Sequence, residues 1–181
     1  ESRRSQDKST LQSATDMFNE TLAIDPVEAQ TYSILANCYY ELGDKTNAVE
    51  YAKKAHELIP NEFRSNYTLG QILALTGDKK NAITYIEKAV EISPTEQGAI
   101  KQLAGLYYET GLKEKSIETF ELAIKQESDK SAKANLYFNL GVLHMQSDNF
   151  QDAEDNFMTA YDLNPDDTEP QMCFAYKLKI L

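Results

Sequence analysis

Side chains able to do acid–base, nucleophilic or metal chemistry are few in this chain. His56 and His144 are its two histidines, and neither has cysteine or acidic neighbours at metal-ligand spacing. Cys38 and Cys173 give no disulfide framework, and we expect both to be free thiols. No nucleophile, base and orienting group fall together on one predicted surface. The sequence therefore predicts no enzyme, no metal site and no cofactor within these residues.

Acidic residues outnumber basic residues, 29 to 18, which gives a formal net charge of −11. This balance disfavours nucleic acid as a partner, because affinity for nucleic acid depends on basic contacts to phosphates. From Ala134 to Tyr176 there is no lysine or arginine. The acids of this base-free stretch are Asp148, Asp152, Glu154, Asp155, Asp162, Asp166, Asp167 and Glu169. Two interpretations stay open: a solvated outer helix face, or an acidic patch that steers a basic partner.

Glycines recur at a fixed interval of 34 residues, at Gly43, Gly77 and Gly111. Three prolines keep the same interval: Pro26, Pro60 and Pro94. A period in this range indicates one small structural unit copied along the chain. The period assigns most tyrosines and all of these glycines to packing and turns, so the functional question moves from catalysis to binding.

Each unit carries two apolar stripes with helical spacing, separated by a break at the glycine. In the first full unit the stripes are Tyr32, Leu35, Ala36 and Tyr39, then Ala48, Val49, Ala52 and Ala55. Glycine in the break can take a positive φ and end the first helix. Small residues such as Ala36 and Gly70 would let two helix backbones approach closely. Such a unit is too small to bury its own apolar face, so stacked neighbours must bury it.

The pattern aromatic-x-x-Leu-Gly/Ala-x-x-Tyr, then Ala-x-x-x-Phe, then Ala and Pro, resembles the tetratricopeptide repeat. The resemblance covers residues 11–181. It departs from the family at Asn66 and Ile100, where an aromatic is preferred, and at Asp148, which replaces the glycine. The resemblance implies an all-α, right-handed superhelical solenoid of antiparallel helix pairs, with about four full repeats and a half repeat at each end.

The repeat register predicts one solenoid over residues 1–181. Its parts are a half repeat at 11–28, full repeats at 29–62, 63–96, 97–133 and 134–167, and a terminal helix at 168–181. Three extra residues fall in the turn around Ser128–Lys133. First helices are predicted at 29–42, 63–76, 97–110 and 134–147. Second helices are predicted at 11–24, 45–58, 79–92, 113–126 and 150–163.

The family's ligand contacts come mainly from the first helices, which line the concave side of the solenoid. Carried over to this sequence, the groove positions are Gln30, Ser33, Asn37, Tyr40, Arg64, Tyr67, Gln71, Lys101, Gln102, Tyr108, Asn135, Phe138, Asn139 and Met145. The resemblance thus implies a non-catalytic scaffold that binds a peptide or protein segment there. Neither repeat window supplies the cations of the family's carboxylate clamp. Arg64 and Lys101 are the only groove cations, which favours a ligand with a single acidic side chain.

Two other functions stay open at this stage. Residues 168–181 are more apolar than the cap of a solenoid needs, which predicts that they pack either on a second copy, as self-association, or on further repeats of a longer parent. The second open function is that the chain is the interaction domain of a larger protein whose activity lies outside these residues. No apolar run approaches the roughly 20 residues of a membrane span, so no transmembrane segment is predicted.

Overall fold

The computed structural model describes residues 2–24 and 28–165, with side chains from residue 8 onward. The described part is helical, with nine α-helices and no strand. The helices fall into two compact units that divide between Ser93 and Pro94. The single solenoid over 1–181 stays a prediction, and the terminal helix at 168–181 lies outside the described residues.

The first unit holds five helices, whose bounds follow the repeat register closely. They are α1 (Ser2–Ile24), α2 (Ala29–Leu42), α3 (Lys45–Leu58), α4 (Phe63–Thr76) and α5 (Lys79–Ile92). Helices α2 and α3 pack as one hairpin and α4 and α5 as the next, while α1 packs on α2. Helix α1 begins at Ser2 rather than at the predicted residue 11, so the polar first residues belong to a helix.

The second unit holds the remaining four described helices. They are α6 (Gln97–Glu109), α7 (Lys113–Gln126), α8 (Lys130–Gln146) and α9 (Phe150–Leu163). Helices α6 and α7 form one hairpin and α8 and α9 another, and α7 packs against α8. These contacts confirm the all-α helix-pair architecture.

The three extra residues lengthen a helix instead of a turn. The Asp129 carboxylate accepts from the backbone N–H of Ala132 at 2.8 Å, so α8 starts at Lys130 and not at the predicted residue 134. The Gln97 amide donates to the Ala132 carbonyl at 3.0 Å, and the Asn164 amide to the Ser131 hydroxyl at 3.3 Å. These bonds fix the added turn against α6 and the end of α9.

The turn inside each hairpin needs one residue with a left-handed backbone. Gly43, Gly77 and Gly111 have φ of 90°, 104° and 82°. The fourth hairpin keeps the same turn with Asp148 at φ 60°. The N–H of Asn149 donates to the His144 carbonyl at 2.9 Å, as the N–H of Asp44 does to Tyr39 at 2.8 Å. The turn is therefore set by the repeat, and Asp148 adopts it against its own preference.

We expect Asp148→Gly to raise the free energy of unfolding by about 0.5–1 kcal/mol, because glycine adopts the left-handed backbone without strain. The greater conformational freedom of glycine in the unfolded chain offsets part of this gain. Urea unfolding followed by circular dichroism would measure the change. The reciprocal substitution Gly111→Asp, at the same turn of the preceding hairpin, should lower stability by about the same amount. A lower stability for Asp148→Gly would contradict this explanation of the turn.

Close helix packing explains the small residues in the first helices. A Cβ built on Gly70 would lie 2.5 Å from Ile86 Cγ1 and 3.1 Å from the Ala82 carbonyl oxygen. A Cβ on Gly141 would lie 2.7 Å from the Phe157 ring. At both sites the partner helix therefore approaches the bare backbone, as the small residues predicted.

Asn66 occupies a position where the family prefers an aromatic, and the structure gives the reason that it fits. Its side chain is fully buried, and its amide donates to the carbonyls of Pro60 and Glu62, both at 2.8 Å. These bonds join α4 to the loop that follows α3, where the Glu62 carbonyl also accepts from the Ser65 hydroxyl at 3.0 Å. Asn66 replaces apolar contact with a tie to the loop.

Candidate functional site

In the first unit, most of the predicted groove residues lie on accessible faces of α2 and α4. Gln30, Asn37 and Arg64 are exposed, and Tyr40 and Gln71 are half-buried. The Asn37 amide donates to the Ser33 carbonyl of its own helix at 3.2 Å. That bond leaves the Asn37 side-chain oxygen as an acceptor.

The side chains at two predicted positions of this unit pack against other residues of the protein itself. Ser33 is only 3% exposed, so its side chain belongs to the core and offers no surface to a partner. Tyr67 stacks on Phe63 with ring centroids 5.4 Å apart, one turn away on α4. Spacing selected a helix face, but it could not show how deeply a small side chain is buried in that face.

In the second unit, α6, α7 and α8 enclose an open groove of about 400 Å³. Three predicted residues line it: Lys101, Tyr108 and Asn139. Ala104, Phe120 and Leu143 are buried and form an apolar floor. We call this feature the α6–α8 groove. It combines an apolar base with a small number of polar groups at the rim, the usual composition of a binding site.

The polar groups of the α6–α8 groove have defined hydrogen-bonding states. The Tyr108 hydroxyl donates to the Gln146 carbonyl at 2.9 Å, which satisfies a carbonyl at the end of α8. The Lys113 ammonium lies 5.5 Å from the centre of the Tyr108 ring. The Asn139 amide donates to the Asn135 carbonyl at 2.5 Å, so its side-chain oxygen is left to accept from a ligand. Tyr108 therefore shapes the groove, while Asn139 can bind.

The other predicted residues of this unit do not line the α6–α8 groove. Phe138 packs on Phe157 of α9, with ring centroids 5.6 Å apart. Gln102, Asn135 and Met145 are half-buried.

Residues beyond the predicted sites also line the groove, among them Gly105 and Gln146. Gly105 matters most, since a Cβ built there meets nothing within 4 Å. It is register-equivalent to Asn37 and Gln71, so the same repeat position could have identified it.

A polar network joins the first three helices, and no pattern in the sequence pointed to it. Asn19 of α1 donates to the Tyr39 hydroxyl at 3.2 Å and accepts from the Tyr51 hydroxyl at 3.1 Å. The Tyr39 and Tyr51 rings stack at 5.0 Å, and Tyr32 lies 5.9 Å from Tyr51. Burial, and then Tyr39, raise the pKa of Tyr51. We call Asn19, Tyr32, Tyr39 and Tyr51 the tyrosine cluster.

The remaining titratable groups singled out by type behave as packing residues. Cys38 is a free thiol whose pKa is raised by burial, which makes it less reactive. Burial, followed by Lys88, lowers the pKa of His56, whose ring meets Tyr85 edge-on at 5.0 Å. No three His, Cys, Asp or Glu side chains within the described ranges could hold a metal ion. Nor does any helix described here have the length and apolar character needed to cross a membrane. Cys173 lies outside the described residues.

Sequence profiles of the tetratricopeptide repeat match most of the chain. One profile matches residues 63–96 and 102–130, and a second matches residues 29–62 and 134–167. The chain belongs to the tetratricopeptide repeat family. Proteins of this family are generally non-catalytic scaffolds for protein interaction, so a scaffold role follows for this chain at that level.

Solved structures of other repeat proteins share the fold. MamA residues 41 to the end, from Desulfovibrio magneticus RS-1, is 22% identical over 91% of this chain and 92% of that chain, with a TM-score of 0.70. YrrB is 22% identical over 92% of this chain and 84% of that chain, with a TM-score of 0.68. TTC0263 from Thermus thermophilus is 18% identical over 93% and 90% of the two chains, with a TM-score of 0.65. No curated protein matches the chain by sequence. At these identities the likeness shows the fold alone.

Proposed function

We propose that this tetratricopeptide repeat scaffold binds an extended segment of a partner protein in the α6–α8 groove. The observation that carries the proposal is the groove itself, an open site of about 400 Å³ with an apolar floor. Its rim includes Lys101 and Asn139, which the family pattern marks as ligand-contacting positions.

An extended peptide suits the chemistry of this groove. Its backbone N–H groups need acceptors, and the Asn139 side-chain oxygen is one. Its apolar side chains can cover Phe120 and Leu143, which form the floor. The exposed Lys101 ammonium favours an acidic side chain at that end of the ligand. YrrB, which shares the fold, is described as a repeat protein with an unusual peptide-binding site, and this supports peptide binding as the function.

Gly105 offers a way to block the groove without disturbing the helix packing. We expect Gly105→Leu to weaken peptide binding at least about tenfold, because the added side chain enters open space in the groove. The probe is a phage-displayed library of random short peptides, selected on the wild-type chain. Fluorescence anisotropy would then compare the affinity of enriched peptides for wild type and variant.

The matched control is Gly105→Ala, which adds one methyl at the same atom and should leave affinity within about threefold. The same control should stabilise α6 by roughly 1 kcal/mol, since alanine has the better helix propensity. Asn139→Ala tests the acceptor directly and should weaken binding about fivefold to tenfold. Peptides that bind the leucine variant as tightly as wild type would place their site elsewhere and refute the proposal.

Self-association through residues 168–181 concerns a segment outside the described residues. It stays a prediction from the sequence, and light scattering over a range of concentrations would test it.

A further inference from the structure

A second cavity, of about 560 Å³, opens between α7, α8 and α9. Ile124 and Leu140 contribute apolar walls. Its polar lining is Glu121, Lys125, Tyr137, His144, Asp152 and Asn156. None of these residues lines the α6–α8 groove, so the two sites are distinct.

His144 lines this cavity with an unsatisfied ring nitrogen. The residue is only 8% exposed, and its Nδ1 atom is buried without a hydrogen-bond partner. The nearest anion among the residues that the structure describes is Asp152, whose Oδ2 lies 3.8 Å from Nδ1, too far for a hydrogen bond. Buried polar atoms are nearly always paired, so an orphan beside an open cavity points to a missing partner.

The repeat register shows why the cavity exists at this place. The four residues of the tyrosine cluster, Asn19, Tyr32, Tyr39 and Tyr51, are register-equivalent to Glu121, Tyr137, His144 and Asn156. In the first unit, the Tyr51 ring occupies the space between the helices and its hydroxyl bonds to Asn19. In the second unit the corresponding side chain is the much smaller Asn156. The cavity is therefore the place of a missing tyrosine ring.

The exchange of two capping residues adds a carboxylate to the same place. In the first unit, Asp44 caps α3 and accepts from the Asn47 amide at 2.7 Å. At the register-equivalent positions of α9 the two types are swapped, to Asn149 and Asp152. Asn149 makes no side-chain cap, and the Asp152 carboxylate faces His144 instead.

The groups around the cavity are mostly hydrogen-bond acceptors. Glu121 and Asp152 are carboxylates, and the Asn156 amide donates to the Asp152 carbonyl at 2.7 Å, which leaves its oxygen as an acceptor. Among the described residues, Lys125 is the one cation that lines the cavity, and it is exposed. A fitting guest is flat, like the absent ring, and carries several donors and a positive charge. A guanidinium group has this combination, whereas an ammonium is not planar and a neutral phenol has a single donor, which can pair with one carboxylate only.

We propose that the cavity between α7, α8 and α9 receives an arginine side chain of a partner protein. The guanidinium takes the place that Tyr51 fills in the first unit and donates to the Glu121 and Asp152 carboxylates. This inference does not depend on peptide binding in the α6–α8 groove.

The test uses a capped Gly-Gly-Arg-Gly-Gly peptide, with lysine and citrulline peptides of the same sequence as controls. Titrations followed by NMR should shift the His144 ring signals and the Tyr137 amide, with a dissociation constant on the order of 1 mM for one charge-assisted contact set. The citrulline peptide has the same shape without the charge, and we expect no measurable binding. Equal shifts from the arginine and citrulline peptides would overturn the assignment.

A titration with free arginine distinguishes a protein partner from a small guanidino compound as the natural ligand. Binding of the peptide at least as tight as that of free arginine supports a protein partner. Binding of free arginine alone would overturn the protein source.

Asn156→Tyr restores the residue type of Tyr51 and should abolish arginine binding by filling the cavity. Tyrosine also stands at the equivalent Tyr85, so the variant should fold, with helix content checked by circular dichroism. Asp152→Asn removes the negative charge but keeps the volume of the side chain, and it should weaken arginine binding about threefold to tenfold.

Lys125→Ala should strengthen arginine binding about twofold, because it removes a positive charge that repels the guanidinium. Gly105→Leu should leave arginine binding unchanged, which separates this site from the groove. Unaltered binding in Asn156→Tyr would place the arginine elsewhere and refute the proposal.

Discussion

Replacing Phe157 by alanine is expected to lower the free energy of unfolding by about 3–5 kcal/mol. Phe157 is only 1% exposed, and its ring lies against both Phe138 and the bare backbone of Gly141 on α8. Since Gly141 has no side chain that could move into the space, the cavity left by the ring would stay largely open. The loss should therefore fall in the upper part of the range for aromatic truncations.

Urea unfolding would measure this loss, and hydrogen exchange would locate it. Protection should fall first in α8 and α9, because stability in a repeat protein is a sum of neighbouring interfaces. Met158→Ala, one residue along α9 and 42% exposed, is the matched control and should change stability by less than about 0.5 kcal/mol. A loss below about 1 kcal/mol for Phe157→Ala would show that α8 and α9 do not depend on this contact.

Gly70→Val is expected to cost about 3 kcal/mol, near the upper end of overpacking penalties. The new Cβ would lie 2.5 Å from Ile86 Cγ1 and 3.1 Å from the backbone nitrogen of Ile86. A rotamer change of Ile86 could relieve the first contact but not the second, because the second atom is backbone. Helices α4 and α5 would have to separate, and every contact between them would weaken.

Gly105→Val provides the comparison at an exposed glycine of the corresponding helix α6. A Cβ there meets nothing within 4 Å, and valine has a slightly better helix propensity than glycine. We expect no loss of stability for this variant. Thermal or urea unfolding of the two variants side by side would test whether close packing, and not the loss of a glycine, decides the outcome. Equal effects would contradict the close-approach explanation of Gly70.

The repeat interval predicts the helices well because several boundaries have a local chemical cause. Glycine ends the first helix of a pair, and an aspartate such as Asp44 or Asp78 caps the second. Helices α3 and α5 consequently have the bounds expected from the register, and α7 and α9 have them as well, although no side chain caps their N-termini. The predicted start of α8 was wrong because Asp129 caps the helix within the three-residue insertion. The insertion has no equivalent in the other repeats, so the register could not predict a helix there.

The candidate site is less predictable, since it depends on how deeply each side chain sits. The register placed Lys101 and Asn139 on the same groove, but it also selected Ser33, whose side chain is buried in the core. It assigned His144 to packing, and the residue is indeed buried, yet its environment depends on the size of Asn156 across the interface. Such a relation joins positions on different helices, and a one-dimensional pattern does not contain it.

The correspondence between Tyr51 and Asn156 has an evolutionary consequence. In a fold built from a single copy of each element, losing a central tyrosine ring would endanger the whole molecule. Here the tyrosine cluster of the first unit is complete, while the equivalent place in the second unit carries Asn156 and an opening instead of a ring. Duplication thus allows mutations at one copy to explore new ligands while the others continue to maintain the architecture.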